Sequence, residues 1–338
     1  MAPAAAGSEA TVDAYTVRFY RDGDEAGLLR LLETVFDGWP HIEIPVAPIE
    51  HLRWKMRGDP LAMQYHIVVG ADGEIVGARL TTAQRVLAGG RELWLRQGMD
   101  SAVHPDHRGH NLMGEMQAFE LEAFRRAFDL QLLGQSQHPA MVRLRTDKAR
   151  HLFVNRVEVM RHAGARSAQA PGRWNVRQVA RFDARVDALW REASTAFAFA
   201  IVRRPDYLNW RYADKRAGEF VIHQVDEDGR LLGYAVLCAR RNRAYIADLL
   251  VAPGRDDVLN ALICDALEHF AAAGVRSVDC WTAKRHPYRA ALEAQGFARK
   301  SGLRTLAWRP LGTAEHELLF LDAPDAIIHV MAGDTDRV

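Results

Sequence analysis

Hydrophobic and polar positions in the first 80 residues predict strand, helix and hairpin in that order. Residues 15–20 alternate as in a strand. Residues 24–36 carry apolar side chains at helical spacing, and Asp24 stands where it can cap this helix. Residues 65–80 form two apolar runs separated by an Asp-Gly pair, which predicts a hairpin.

A further strand and a long helix follow. Residues 91–103 have the pattern of a strand, and Gly98 inside it indicates a bulge or a close approach by another group. Past a short loop, one helical face collects apolar residues, namely Leu112, Met116, Phe119, Ala123 and Ala127. Residues 130–136 then predict a short buried strand.

The second half repeats this order of elements. Hairpin, strand, long helix, strand and short helix are predicted at residues 221–237, 245–251, 258–270, 275–281 and 288–294. Two copies of one α+β unit explain the repetition. We therefore expect an α+β fold of two tandem domains, each with a mixed, mostly antiparallel twisted sheet flanked by helices.

Composition suggests where the two domains meet. Around residues 163–173 the sequence turns to Ala, Gly, Ser, Arg and Pro, which is typical of a linker. The expected parts are a disordered lead-in, an N-terminal domain, a linker, a C-terminal domain and a C-terminal extension, at residues 1–14, 15–163, 164–176, 177–310 and 311–338.

Charge and cysteine content exclude several classes of protein. The 338 residues carry a formal net charge of +1, which argues against a nucleic-acid-binding surface. No apolar run approaches the ~20 residues of a membrane span, and the N-terminal residues do not resemble a signal peptide. Three widely spaced cysteines suit a reducing compartment. We expect a cytoplasmic protein.

The segment Val103-His-Pro-Asp-His-Arg-Gly, between strand and long helix, resembles the acyl-CoA signature of the GNAT (GCN5-related N-acetyltransferase) superfamily. The family pattern is Val-x-Pro-x-x-Arg-Gly followed by glycines. The repeated order of elements is similar to tandem, double-domain GNAT members. This resemblance implies acetyl-CoA or another acyl-CoA as cosubstrate, bound in the N-terminal domain, and a small-molecule amine as acceptor.

The physical basis of the signature is the start of the helix. A helix N-terminus offers unpaired amides and a positive dipole end, which suit the pyrophosphate of coenzyme A. The residues expected to bind it are Val103, Arg108, Gly109, His110, Asn111, Leu112 and Met113. Two of them depart from the family pattern. Asn111 replaces a glycine but tolerates a left-handed backbone, whereas Met113 has to point its bulk into the core.

The corresponding loop of the second half differs in charge. It places Asp256 and Asp257 in the first helical turn, where carboxylates stabilise the helix and repel phosphate, although Arg255 precedes them. We expect the C-terminal domain to be a scaffold or one wall of the substrate cleft.

Acyl transfer to an amine requires a base and a proton donor for the departing thiolate. Asp100 is the first candidate base, with a surface strand carboxylate as the alternative. The tyrosine that GNAT enzymes commonly use as acid is missing, so His138 and Ser136 are the candidate donors. His104, His107 and His110 lie on a turn without settled ligand geometry, and we expect no metal.

Several aromatic and sulfur-containing residues favour a structural role. Tyr207, Trp210 and Tyr212 either line a substrate pocket or, the expected case, belong to the core. Cys280 beside Trp281 is expected to be a buried apolar residue rather than a nucleophile.

The leading hypothesis is an N-acyltransferase that moves an acetyl or short acyl group from acyl-CoA directly to the amine of a small molecule. Met113 and the missing tyrosine favour an alternative, a degenerate tandem GNAT that binds a ligand or partner without turnover. A second alternative is a Fem-like aminoacyl-tRNA-dependent transferase, which does not need the CoA loop. We expect neither nucleic acid nor membrane as partner, and a homodimer is left open.

Overall fold

The computed structural model describes residues 9–12, 14–58, 66–132, 153–164, 174–240, 243–311, 316–323 and 325–335. In this part of the chain there are fifteen strands: β1 Glu9–Val12, β2 Tyr15–Phe19, β3 Ile67–Ala71, β4 Glu74–Ala88, β5 Arg91–Val103, β6 Leu130–Leu132, β7 Phe153–Ala163, β8 Arg177–Val179, β9 Phe199–Ile201, β10 Val221–Glu227, β11 Arg230–Arg240, β12 Arg243–Val251, β13 Ser277–Ala283, β14 Ala298–Pro310 and β15 Ile328–His329.

The same residues form seven α-helices: α1 Glu25–Phe36, α2 Pro48–Arg57, α3 Leu112–Ala127, α4 Arg185–Ala193, α5 Pro205–Leu208, α6 Asp256–Ala272 and α7 Arg289–Ala294. Short 3₁₀ turns lie at Pro105–His107, Ser194–Ala196, Lys215–Ala217, His316–Asp322 and Ala332–Asp334, and a π-helical turn at Asn209–Ala213.

The predicted hairpin turns are present in both halves. Asp72 and Gly73 connect β3 to β4 with φ angles of 51° and 82°, and Asp228 and Gly229 connect β10 to β11 with φ angles of 51° and 80°. Two consecutive positive φ angles are the mark of the type I′ turn, whose twist matches that of antiparallel strands. Local chemistry therefore sets the turn of each hairpin, and the register shifts close to it, between Val69 and Gly70 and between Val225 and Asp226.

Helix α1 begins where predicted, but Asp24 acts differently from the expected cap. It is the N-cap residue and makes no side-chain capping bond to the helix. Its carboxylate instead accepts hydrogen bonds from both terminal nitrogens of Arg18, at 2.7 and 2.8 Å, and from the amide of Arg21 at 2.8 Å. The charged guanidinium outcompetes the helix amides because charge-assisted bonds are stronger.

Each half contains a mixed sheet with the same pairing pattern. In the first half, β1 to β5 pair antiparallel in sequence order, and β5 then pairs parallel with β6. In the second half, β8, β10, β11 and β12 pair antiparallel, and β12 pairs parallel with β13. The long helices α3 and α6 make the two parallel connections. The predicted fold class, two mixed twisted sheets flanked by helices, is confirmed.

The two sheets are also joined edge to edge, which the sequence pattern did not indicate. Strand β14 pairs with β6 of the first half on one side and with β7 on the other, and β7 pairs with β13. The strands therefore form one continuous hydrogen-bonded path across both halves. Because β7 lies inside this junction, the domain limits given above stay a prediction.

Helices cover both faces of the first sheet. Val68 of β3 packs with Leu28 of α1 and Leu52 of α2. Its neighbour Val69 points to the opposite face, where it packs with Met116 of α3. Such alternation is the strand period of two. The helix α2 thus lies on the face opposite α3, between the first sheet and the second half.

Among the described residues, no helix combines the length and apolar character that crossing a bilayer requires. Cys238, Cys264 and Cys280 are buried and unpaired.

Candidate functional site

The loop between β5 and α3 has the backbone shape of an anion-binding turn. After the 3₁₀ turn Pro105–His107, Gly109 adopts a φ of 94° and Asn111 a φ of 55°. Asn111 therefore takes the left-handed conformation expected of it, and it is the N-cap residue of α3. These two positive φ angles turn the chain so that the following amides face outward at the helix start.

The last amides of this loop and the first amides of α3 have no acceptor within the described structure. The first helical amide with an acceptor is that of Glu115, 3.1 Å from the carbonyl of Asn111. The amides from Gly109 to Gly114 donate to no protein group among the described residues. With the dipole of a 16-residue helix behind them and the exposed Arg108 beside them, they are suited to a phosphate group.

Gly114 leaves room for the side chain of Asn111, which the sequence pattern did not indicate. A Cβ at this position would lie 2.5 Å from Oδ1 of Asn111, closer than a real Cβ can be. The side chain of Asn111 thus occupies the space over Gly114. The replacement of a family glycine by Asn111 is accommodated by a glycine three residues later.

Met113 is directed away from the loop, as its bulk requires. Its side chain is partly buried and packs with Leu112 and Met116. Its Sδ accepts a hydrogen bond from Nη1 of Arg79 at 3.3 Å. Of the predicted binding residues, Leu112 and Met113 therefore offer backbone amides only, whereas Arg108, His110 and Asn111 have exposed side chains.

The three histidines of the loop have separate local partners. Nδ1 of His104 accepts the amide of Asp106 at 3.3 Å, and Nδ1 of His107 lies 3.2 Å from the hydroxyl of Tyr15. The ring of His110 lies 5.2 Å from that of Tyr15. The described residues hold no group of three or more His, Cys, Asp or Glu side chains arranged to bind a metal ion.

Asp100 lies on a β-bulge of β5. The β4–β5 register shifts where Ala78 pairs with Ala102 and Leu80 with Met99, which leaves Asp100 and Ser101 opposite one residue. Asp100 has a φ of 36°. The bulge is therefore adjacent to Gly98 rather than at it, and Gly98 is instead approached by the guanidinium of Arg96, 3.1 Å from where a Cβ would be.

The Asp100 carboxylate is buried and ion-paired. Its Oδ2 lies 2.6 Å from Nζ of Lys55, and the two side chains are 8% and 9% exposed. Asp100 is thus not the surface carboxylate of the alternative interpretation. Lys55 comes from α2, so the helix on the face opposite α3 supplies the partner of this strand residue.

A cleft opens between α2, the β4–β5 hairpin and the second half of the chain. It contains about 450 Å³ of empty space, part of it open to solvent. Its lining residues are Ile42, His51, Trp54, Lys55, Thr82, Gln84, Gln97, Met99, Trp210, Arg211, Ala217, Asp334 and Thr335. Trp54 and Trp210 stack at a centroid distance of 4.9 Å, and Nε1 of Trp54 donates to the carbonyl of Trp210 at 3.0 Å. Both halves of the chain therefore build the cleft.

His51 is a neutral group in the wall of this cleft. Its Nδ1 lies 2.6 Å from the carbonyl of Arg216 and so carries the hydrogen of that bond. Burial, with the nearby charge of Lys55 as a further cause, lowers the pKa of His51 to about 4. At neutral pH the imidazole carries no charge.

A buried network lies behind the cleft and holds the C-terminal turn. Nη2 of Arg203 lies 2.6 Å from Asp334 and 3.3 Å from Asp248. The hydroxyl of Tyr207 donates to Asp334 at 3.1 Å, and that of Tyr212 to Asp248 at 3.3 Å. Burial raises the pKa of Asp248 to about 6. Of the aromatic tract, Tyr207 and Tyr212 therefore serve this network, and Trp210 lines the cleft.

The corresponding loop of the second half is closed by side chains. Asp257 accepts a hydrogen bond from Nε1 of Trp174 at 2.9 Å and pairs with Arg255 at 3.1 Å. The guanidinium of Arg255 lies 4.8 Å from the ring centre of Trp174. Carboxylate and indole thus cover the helix start, and Arg255 is engaged by both.

The structure brings some predicted residues together and shows others that the sequence did not indicate. Asp100 lies on the strand that leads into the loop at Arg108, whereas Ser136 and His138 lie outside the described residues. Lys55 and Gln84 were missed. The internal repeat does give a sequence signal for Asp100. Asp100 stands five residues before Pro105 in the first half, and Asp248 stands five residues before Pro253 in the second.

This chain is similar to known proteins in its three-dimensional structure. No protein-family model matches the sequence, and no curated protein matches it. A probable N-acyltransferase from Enterococcus faecalis V583, described as a conserved protein of unknown function, superposes with a TM-score of 0.65 at 12% identity, over 88% of this chain and 73% of that one. A GCN5-related N-acetyltransferase from Anabaena variabilis ATCC 29413 gives 0.66 at 11%, over 88% and 73%. Another from Kribbella flavida gives 0.61 at 14%, over 87% and 70%.

Proposed function

We propose that this chain, which has the fold of the GCN5-related N-acetyltransferases, is an acyl-CoA-dependent N-acyltransferase that acylates the amine of a small molecule. The observation that carries the proposal is the set of unpaired amides from Gly109 to Gly114 at the start of α3. An anion such as the pyrophosphate of coenzyme A satisfies these donors. Arg108 adds a positive charge at the same place.

The acyl end of the cosubstrate reaches the cleft along β5. Asp100 stands three positions before Val103, the last residue of β5, which corresponds to about 10 Å of extended chain. The thioester would then lie beside the bulge and next to Lys55. The acceptor amine enters from the cleft on the α2 side, so that cosubstrate and acceptor approach the bulge from different directions.

The transfer proposed is direct. The amine nitrogen forms a bond to the thioester carbonyl carbon, the C–S bond breaks, the nitrogen loses one proton and the sulfur gains one. Asp100 is the proposed acceptor of the first proton, and His138 or Ser136 the proposed donor of the second. A cysteine intermediate is disfavoured because all three thiols are buried, and burial raises the pKa of each.

Calorimetric titration with acetyl-CoA and with desulfo-CoA tests the proposal. We expect Arg108→Glu to weaken binding by about 10- to 100-fold, since it exchanges a charge-assisted contact for repulsion. Arg125→Glu is the matched control, because Arg125 is an exposed arginine at the far end of the same helix. If Arg108→Glu and Arg125→Glu bind acetyl-CoA with equal affinity and have unchanged circular dichroism spectra, this contradicts a pyrophosphate site beside Arg108.

Turnover separates the proposed enzyme from the two alternatives. An enzyme releases CoA only when an amine acceptor is added. Binding of CoA without release in the presence of amines would favour a degenerate tandem protein. Absence of CoA binding would favour the Fem-like transferase, which uses an aminoacyl-tRNA as donor. We also propose that the protein acts in the cytoplasm, which the three free thiols suit.

A further inference from the structure

Two arginines share one glutamate beneath helix α3. Nη2 of Arg79 on β4 lies 2.5 Å from Oε1 of Glu120, and Nη2 of Arg96 on β5 lies 3.3 Å from Oε2 of the same carboxylate. The side chains of Arg79, Arg96 and Glu120 are 8%, 1% and 3% exposed. The described part of the chain offers these three groups no other ion pair. This buried cluster therefore carries one positive charge more than it balances.

Arg96 makes few hydrogen bonds for a buried guanidinium. Its bond to Glu120 is long, at 3.3 Å, and within the described structure its Nε has no hydrogen-bond partner, nor has Nε of Arg79. Its guanidinium lies 4.5 Å from the ring centre of Phe124 on α3, so it lies on the α3 face of β5. Burial lowers the pKa of Arg96 to about 10. A buried cation is stabilised by paired anions and hydrogen bonds, and Arg96 has capacity for a further anion.

The second half shows that the shared fold does not require this arginine. Arg96 stands nine residues before Pro105 in the first half, and Ala244 stands nine residues before Pro253 in the second. Ala244 is completely buried, so the equivalent position of the second sheet holds a small apolar side chain. A buried charge where alanine suffices for folding indicates a role in binding.

The guanidinium of Arg96 lies over Gly98, on the strand that leads to the proposed site. A Cβ at Gly98 would lie 3.1 Å from Nη1 and 3.4 Å from both Cζ and Nη2 of Arg96. Gly98 is half-buried and has no side chain that could cover the guanidinium. Asp100 follows two residues later on β5, which corresponds to about 7 Å of extended chain. A group that extends from a thioester beside Asp100 back along β5 therefore meets Arg96.

We propose, on the basis of the proposed function, that the acyl group carried by coenzyme A ends in a carboxylate and that Arg96 of the buried cluster binds it. The donor is then a dicarboxylic acid that is joined to CoA through one of its two carboxyl groups. The transfer step is the one described above, and the terminal carboxylate passes to the amine unchanged. With this carboxylate bound, two guanidinium groups face two carboxylates and the cluster is neutral.

The length of strand between Asp100 and Gly98 favours a four-carbon acyl group. Three C–C bonds connect its thioester carbon to its terminal carboxyl carbon, and they span about 4 Å when extended. A hydrogen bond from the guanidinium to the carboxylate adds about 3 Å. Together these distances match the separation of the two residues along β5. An acetyl group ends well before the guanidinium.

Calorimetric titration with matched pairs of acyl-CoA tests the inference without an acceptor. The pairs are malonyl- and propionyl-CoA, succinyl- and butyryl-CoA, and glutaryl- and pentanoyl-CoA, and in each pair a terminal carboxylate replaces a methyl group. We expect succinyl-CoA to bind about 10-fold or more tightly than butyryl-CoA, because the carboxylate gains charge-assisted hydrogen bonds to a buried cation. Equal or weaker binding of the acid in all three pairs overturns the inference.

Variants locate the preference at the buried cluster. Arg96→Met leaves Arg79 paired with Glu120, so we expect it to lose the preference for succinyl-CoA and to keep nearly unchanged affinity for butyryl-CoA. Arg85→Met is the matched control and should keep the preference. Arg85 is a half-buried arginine on β4 that lies 3.8 Å from the ring centre of Trp94.

A second variant covers the case in which Arg96→Met folds poorly. Arg79→Met leaves Arg96 and Glu120 as a neutral pair, so the additional carboxylate has no unbalanced charge to bind and the preference should fall. A cluster that serves folding alone would lower the unfolding temperature of both variants and give the unchanged protein no preference for the acid. A preference that survives in both variants overturns the assignment to this cluster.

The two proposals fail in distinguishable ways. If acetyl-CoA and butyryl-CoA bind and succinyl-CoA binds no more tightly, the proposed function stands and the terminal carboxylate is wrong. If no acyl-CoA binds, the proposed function fails and the carboxylate fails with it.

Discussion

The two halves of the chain use one unit of strand, loop and helix in opposite ways. In the first half, Leu112 at the start of α3 is the seventh residue after Pro105. In the second half, Asp256 at the start of α6 is the third residue after Pro253. The extra residues of the first half form the turn with unpaired amides, whereas the second half winds the same positions into helix.

Asp100 and Asp248, which stand at equivalent positions before the two loops, show the same contrast. Asp100 pairs with Lys55 at the wall of an open cleft. Asp248 is fully buried and binds Arg203, which also holds Asp334 of the C-terminal turn. That turn packs against β12, since a Cβ on Gly333 would lie 2.9 Å from the carbonyl of Ala247. One carboxylate therefore pairs with a lysine that lines a cleft, and the other is part of the core.

The two halves therefore differ in two features: the loop before the long helix, and the partner of the aspartate on the strand that precedes this loop. The backbone fold is shared. In the function proposed above, a site requires amides that no helix or side chain uses.

The largest expected effect separates the two aspartates. Asp100→Asn should lower turnover by about 10²–10⁴ and leave CoA affinity nearly unchanged, because it removes a positioned base. Asp248→Asn should instead lower the unfolding temperature, because Arg203 loses one of its two buried carboxylates. Steady-state kinetics and thermal unfolding of both variants measure this difference. If both variants lose turnover to a similar extent and keep their unfolding temperature, the two aspartates do not differ in the way proposed.

Acid should destabilise the protein through buried histidines that are present in both halves. Burial lowers the pKa of His66 in the first half to about 4 and that of His286 in the second to about 3, and it lowers the pKa of His329 well below its ordinary value. Such groups bind protons only after unfolding, so stability is full above about pH 6.5 and falls as the pH decreases. Asp248 opposes this between about pH 6 and 4, because its pKa is raised.

The slope gives the size of this acid effect. Each such histidine contributes up to about 1.4 kcal/mol per pH unit below its unfolded pKa. Urea unfolding at several pH values from 7.5 to 5 measures it. The slope is that of the free energy of unfolding against pH. We expect His329→Gln and His66→Gln each to reduce it by the amount that corresponds to about one bound proton. A stability that stays constant down to pH 5 would show that these histidines are protonated in the folded protein.

The smallest expected effect concerns the closed loop. Trp174→Ala removes the indole that covers Asp257 and should leave CoA stoichiometry at one per chain, because two carboxylates still repel phosphate at the start of α6. Calorimetry gives the stoichiometry directly. A second CoA in this variant would mean that Trp174 alone, and not the acidic helix start, distinguishes the halves.

Local chemistry in the sequence determined much of the architecture. The Asp-Gly pairs produced the hairpin turns, and the apolar stripes produced the helices α1, α3 and α6 within a few residues of their predicted bounds. The left-handed conformation of Asn111 and the acidic start of α6 followed from the same kind of rule. These features depend on neighbours within one turn or one hairpin, which a sequence displays directly.

Only the tertiary structure decided what pairs with Asp100 and what lines the cleft. Its partner Lys55 lies 45 residues earlier on a helix that no motif marked, Trp54 stacks on Trp210 across the two halves, and Gln84 is oriented by the C-terminal turn. The joining of the sheets through β14 is of the same kind. Hydrophobic periodicity fixes which face of an element is buried but not which other element covers it, so the cleft and its chemistry emerged only when the two halves were packed together.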